Sequence, residues 1–170
     1  MTTGKPMDLS DLSAKWERWT ALVAEMHDEF LVHQNDQVAF TPLNKPLDAS
    51  RVAILSTGGV HLKSDEPFNL IAAAGDPSIR VIPHDVEPSA LTVSHVHYDT
   101  EMALEDVDCV FPIQAARALE SAGYIGELAP THYGLMGFVP NGERLISQTG
   151  PELAHRLHDE GVDAVVMVPG

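Results

Sequence analysis

Residues 94–100 read Ser-His-Val-His-Tyr-Asp-Thr, the stretch of this chain richest in side chains that can do chemistry. It follows Leu91-Thr92-Val93, an apolar run that reads as the end of a buried strand over 91–95. Side chains alternate faces along an extended chain, so His95, His97 and Asp99 are expected on one side. Two imidazoles and a carboxylate at that spacing can move protons, hold an anionic substrate or ligate a metal. None of these is a usual way to fill a core. A catalytic metal needs a third protein ligand, which His61 or His132 can supply, so His95, His97 and His61 form the candidate metal set.

Other candidates lie in loops. Arg51–Ser56 is a short continuous apolar run, as expected of a strand buried on both faces, and Thr57-Gly58-Gly59-Val60-His61 follows it directly. In open parallel sheets ligands collect at the carboxyl ends of strands. Paired glycines let backbone amides approach an anion, so Thr57, Gly58, Gly59 and His61 are candidate substrate contacts. The competing reading is that a turn needs glycine anyway. Arg80 is one of few cations in an acidic protein, suited either to a substrate carboxylate or to bracing its own loop. His132-Tyr133 offers a neutral imidazole and a phenol for proton transfer. Cys109, in the apolar context of Val110-Phe111, reads as a buried small side chain rather than a nucleophile.

The elements that must position these residues alternate. Residues 10–34 predict a helix, with Trp16, Trp19, Leu22, Val23, Met26, Phe30 and Leu31 at helical spacing as core or subunit interface. Residues 41–50 are loop, and 63–88, with four prolines, form a long irregular excursion. An acidic turn follows the 91–95 strand. Pro112–Ala122 predicts a helix stopped by Gly123, residues 124–140 a loop with a short strand near Leu135–Val139, Pro151–Glu160 a last helix, and Asp163–Val168 a buried strand. The fold expected is α/β, a single domain with a mainly parallel sheet and flanking helices. Residues 1–50 supply an N-terminal helix and linker, packed on or assembling the α/β core of 51–170.

Composition narrows the partners. The 170 residues carry 10 basic and 25 acidic side chains, a formal charge of −15. That balance disfavours nucleic acid and anionic membranes. No window approaches the length of apolar chain that spans a bilayer, and the N-terminus has no signal-peptide core. One cysteine fits a reducing compartment, so the expected location is cytoplasmic. No nucleotide-cofactor motif occurs.

Several segments in order carry a resemblance. They are Ser56-Thr57-Gly58-Gly59-Val60-His61-Leu62-Lys63, Pro67-Phe68, Gly75-Asp76-Pro77-Ser78, Ser94 to Thr100, Val110-Phe111-Pro112, Gly123-Tyr124-Ile125-Gly126, Ala129 to Tyr133, and Gly161 to Pro169. From about Arg51 onward the chain resembles the selenoprotein B family of glycine, sarcosine, betaine and D-proline reductases. The resemblance implies reductive cleavage of a carbon–nitrogen bond in a small amino acid or amine. In that family a selenocysteine or cysteine attacks the carbon bearing the amine, a thiol system regenerates it, and partner subunits complete the enzyme. The redox residue follows the stretch matching Val165–Pro169, whereas this sequence closes at Gly170. A selenocysteine codon read as a stop, or natural loss of that half, gives such an ending, and Cys109 does not occupy the redox position. Under this reading His95, His97, Asp99, His132 and Tyr133 handle protons beside the substrate. The chain then works as a homo-oligomer or with a partner reductase subunit. Two alternatives stay open: a metal-dependent enzyme built on the histidines, and a non-catalytic subunit.

Overall fold

The spine of the molecule is β1 (Arg51–Ser56), whose residues Val52 to Leu55 are buried on both faces as the apolar run predicts. The structure is a computed structural model that describes residues 17, 18, 21, 25, 40–96 and 98–170. Glu17, Arg18, Ala21 and Glu25 are helical and exposed. Trp16, Trp19 and the rest of the expected helical stripe lie outside the described residues, as does His97.

β7 (Ala164–Val168) pairs in parallel with β1 from Val52↔Ala164 to Ser56↔Val168. On the other edge of β1 run two short parallel strands, β5 (Glu127–Leu128) against Arg51 and Val52 and β6 (Thr131–Gly134) against Leu55 and Ser56. β3 (Arg80–Pro83) closes that side, antiparallel to β6. A separate antiparallel ribbon joins β2 (Val60–Leu62) to β4 (Leu91–Val93). Three helices follow: α1 (Glu101–Glu105), α2 (Ile113–Ser121) and α3 (Gly150–Asp159), the last entered through a π-helical turn at Leu145–Thr149. Ile54, Val60, Leu91, Phe111 and Ile113 form the larger core on one face of the sheet. Leu55, Tyr133 and Leu153 of α3 form the smaller one on the other. Among the described residues no helix is long and apolar enough to cross a membrane.

The α/β class and the mostly parallel sheet stand, but β7, expected to be buried, has Val166 and Met167 exposed, and three elements differ in placement. The strand expected over 91–95 ends at Val93 and belongs to the ribbon, not to the parallel sheet. The excursion at 63–88 contains β3, an edge strand that ends at Pro83, where a missing N–H is tolerated. The strand expected near 135–139 lies earlier, at β6.

One buried histidine bridges a fault in this sheet. The pairing on β1 slips from Val52↔Leu128 to Leu55↔Tyr133, and Pro130, which has no N–H, sits in the break. Ile54 N–H donates instead to His132 Nδ1 at 3.1 Å. The neutral ring therefore carries its proton on Nε2. Burial above all, then the nearby His84 and Arg117, lowers the pKa of His132 from 6.5 to about 4. A folded value below the unfolded one means that acid favours the unfolded chain. The stabilisation is full above about pH 6.5 and is lost as pH falls toward 4, by at most about 3 kcal/mol. His132→Asn keeps an acceptor for Ile54 but cannot titrate there. In urea unfolding it should lose less stability than the native chain between pH 7 and pH 4.5; equal slopes would refute this account.

Candidate functional site

β1, β6 and β7 deliver their carboxyl ends to one place. Thr57 N–H donates to Val168 O at 2.9 Å, Leu135 N–H to Ser56 O at 2.8 Å, and Gly170 N–H to Thr57 Oγ1 at 3.3 Å. The glycine pair after β1 makes the turn. Gly59 has φ +72, and a Cβ there would overlap the Ser94 carbonyl. Ser94 N–H in turn donates to Gly59 O at 2.9 Å, so the end of β4 is tied to the turn and His95 arrives beside it.

His95 is 9 % exposed, enough burial to hold its ring in place. The ring lies 4.6 Å from that of Tyr98, tilted by 42°. Its Nε2 faces Gly137: a Cβ on Gly137 would stand 3.4 Å from that nitrogen, 2.8 Å from Thr57 O and 3.1 Å from Gly170 O. Tyr98 is half-buried and donates to Gly58 O at 2.7 Å. Its pKa is raised, first by burial and then by nearby Cys109. The His95 imidazole thus sits among main-chain carbonyls of Thr57 and Gly170, a group able in kind to give or take a proton.

His61 stands one layer behind. Its Nδ1 contacts Leu62 O at 2.7 Å and its Nε2 the Ser94 hydroxyl at 2.8 Å, next to His95. Since a carbonyl only accepts, the neutral His61 ring donates through Nδ1 and accepts from Ser94. Neither nitrogen is left for a metal. Among the described residues, which leave out His97, no group of three or more His, Cys, Asp or Glu is placed to hold a metal ion.

The other candidates are engaged elsewhere. The glycine amides do not cradle an anion: Gly58 N–H donates to Ser56 Oγ at 3.0 Å and Gly59 N–H to Leu135 O at 2.9 Å. Asp99 accepts from Glu101 N–H at 3.0 Å in the turn that leads into α1. His132 is the buried bridge described above. Tyr133 points its phenol toward Thr131 Oγ1 at 3.0 Å and Glu160 Oε1 at 3.3 Å, and its pKa is raised, burial leading. Glu160, just past α3, also takes a hydrogen bond through its carbonyl from Arg51 at the start of β1, so this group gathers at the end of β1 away from the glycine turn. Cys109 is exposed rather than buried, because its 3-10 turn turns Val107 inward and the thiol out.

Arg80 braces its own loop. Nε donates to Glu66 O at 3.0 Å, Nη1 to Ser78 Oγ at 2.6 Å, and Nη2 to Pro67 O at 3.3 Å, while the guanidinium lies 4.3 Å over the Phe68 ring. Asp76 pairs with it at 3.9 Å. Arg80→Ala should cost about 2 kcal/mol and open residues 66–79 to protease first. An unchanged cleavage map would count against the bracing role.

Of the sequence candidates, then, the fold gathers His95, Thr57, Gly58 and Gly59, with His61 behind them. Tyr98, Ser94 and Gly137 complete the arrangement. Tyr98 was legible only as a neighbour of His95 in the Ser94–Thr100 segment, and Gly137 gave no local signal.

The sequence profile of the glycine/sarcosine/betaine reductase selenoprotein B family matches residues 22–169. D-proline reductase subunit gamma from Acetoanaerobium sticklandii is 40 % identical over 149 residues, covering 88 % of this chain and 60 % of that protein. Glycine reductase complex component B subunit gamma from Carboxydothermus hydrogenoformans is 29 % identical, covering 78 % of this chain and 31 % of that one. Betaine reductase complex component B subunit beta from Peptoclostridium acidaminophilum is 26 % identical, over 84 % and 33 % respectively. The chain therefore spans less than two thirds of the length of these relatives. No solved structure matches it. The profile match over residues 22–169 together with the 40 % identity shows that the chain belongs to the glycine/sarcosine/betaine reductase selenoprotein B family.

Proposed function

We propose that this chain is the substrate-handling part of a reductase complex that cleaves a carbon–nitrogen bond in a small amino acid or amine, with His95 as the proton carrier. One observation carries the reading: His95 Nε2 faces the point where the ends of β1, β6 and β7 meet. A selenolate or thiolate from further sequence or a partner attacks the carbon bearing nitrogen. The carbon–nitrogen bond breaks as the new carbon–chalcogen bond forms, and nitrogen leaves with the electron pair. His95 donates the proton that makes it a neutral amine or ammonia. A dithiol then attacks the chalcogen with one sulfur, the released carbon takes a proton, and the second sulfur displaces the chalcogenolate, leaving the dithiol oxidised to a disulfide. Tyr98 positions His95 through the ring contact and the bond to Gly58. The relatives named as components of glycine and betaine reductase complexes support a partner subunit.

The test is reconstitution with co-purifying subunits and a dithiol, following amine or ammonia release from glycine, betaine and D-proline. Turnover should require this chain. Full turnover in its absence would end the proposal.

A further inference from the structure

A groove of about 290 Å³ opens on the larger-core face of the sheet. Val52 and Ile54 of β1, Val166 of β7, Ala116 and Leu119 of α2, and Ile125 line it, and every side chain in its wall is apolar. Val166 on the strand is 48 % exposed and Leu119 on the helix 47 %. β7 is the edge of the sheet here, pairing only with β1 among the described residues. Parallel strands are ordinarily covered by helices on both faces, and α2 leaves this stretch open. The chain enters β1 beside the same groove. Gly126 N–H, next to Ile125, donates to Leu47 O at 2.9 Å and to Ser50 O at 3.1 Å. A Cβ on Gly126 would stand 2.8 Å from Ala49 C and from Ser50 N, so the segment leading into β1 is pressed against the groove's Ile125 end.

We infer that the apolar stripe of residues 16–30 of the same chain seats in this groove as a helix beside α2, so that the N-terminal segment caps its own sheet. Trp16, Trp19, Val23, Met26 and Phe30 recur in steps of three and four, the spacing of one helix face. Glu17, Arg18, Ala21 and Glu25 are helical and exposed, and none belongs to that stripe. The family profile matches from residue 22, so Val23, Met26 and Phe30 lie within the matched region and not in an unrelated extension. Residues 31–46 reach about 50 Å when extended, ample to lay the stripe along a groove at which the chain is already anchored. A tethered segment acts at an effective concentration on the order of millimolar, so a few apolar side chains suffice to seat it. A second copy has no such tether and brings a further charge of −15 against the first. The seating does not depend on the chemistry proposed for His95.

The two tryptophans of the chain are Trp16 and Trp19, so tryptophan fluorescence of the full chain reports on this segment alone. The native emission should lie to the blue of its position in the urea-unfolded chain and stay there on dilution. Val166→Glu and Leu119→Glu place a charge in the strand wall and the helix wall, at sites exposed enough to spare folding. Each should shift the emission to the red and steepen quenching by acrylamide, while the urea transition remains cooperative. Met167→Glu is the control, because the next residue along β7 projects from the opposite face, and its emission should remain native. Native emission at the unfolded position, or emission unmoved by either groove variant, would overturn the seating. So would an equal shift in Met167→Glu. A red shift on dilution would overturn it too, by assigning the stripe to a second copy.

Discussion

His95→Gln is expected to lower turnover of the reconstituted reductase by about 10²- to 10⁴-fold while the chain stays folded. Glutamine has similar length and can still fill the space beneath Tyr98, 4.6 Å away in the native ring pair. What it lacks is a group that gains and loses a proton near neutral pH. Expelling an amine anion without a donor is prohibitive, so the loss should fall on kcat, with substrate binding changed by only about threefold. The native pH–rate profile should show a limb from one titrating group, and that limb should vanish in the variant. Turnover within about fivefold of native, with the limb intact, would remove His95 from the chemistry. Loss of substrate binding alone would make it a contact and not a proton carrier.

The parts of this fold that were legible in the sequence are those fixed by local signals. The apolar run of β1, the glycine-stopped α2 and α3, and β7 all lie within a residue or two of expectation. Composition decided burial only for β1; β7, equally apolar, leaves Val166 and Met167 exposed because nothing described covers that edge strand. The site was legible only in outline, because its geometry depends on pairings between distant residues. Alternation should have aligned His95 with Asp99, but β4 ends at Val93, where its ladder with Val60 runs out, and the chain turns. His95 then meets Tyr98, three residues on, and Asp99 turns away to α1. The two readings of Arg80, substrate contact or loop brace, could not be separated in the sequence because the carbonyls of Glu66 and Pro67 reach it only after the long loop folds back. The role of His132 needed knowledge of the Pro130 break against β1. β3, likewise, exists because β6 offers it an edge, something no window over 63–88 contains.

The glycine turn sets the position of His95, and that dependence has a measurable cost. Gly59→Ala should destabilise the chain by about 2–4 kcal/mol, through left-handed strain and through collision with Ser94. At φ +72 the new methyl would overlap the Ser94 carbonyl and come within 3.5 Å of His95 Cβ. The hydrogen bond from Ser94 N–H to Gly59 O, 2.9 Å in the native chain, cannot keep its length if Ser94 retreats. Gly123→Ala is the control. Gly123 has φ +74, but a Cβ there meets nothing within 4 Å, so it should lose only the strain, about 1 kcal/mol. In thermal unfolding the first variant should melt roughly 5–15 °C below native and the second only a few degrees below. The His95 ring signals should shift in the first variant and not in the second. Equal losses would mean that Ser94 moves aside freely, and the mechanical tie between the turn after β1 and the imidazole would have to be abandoned.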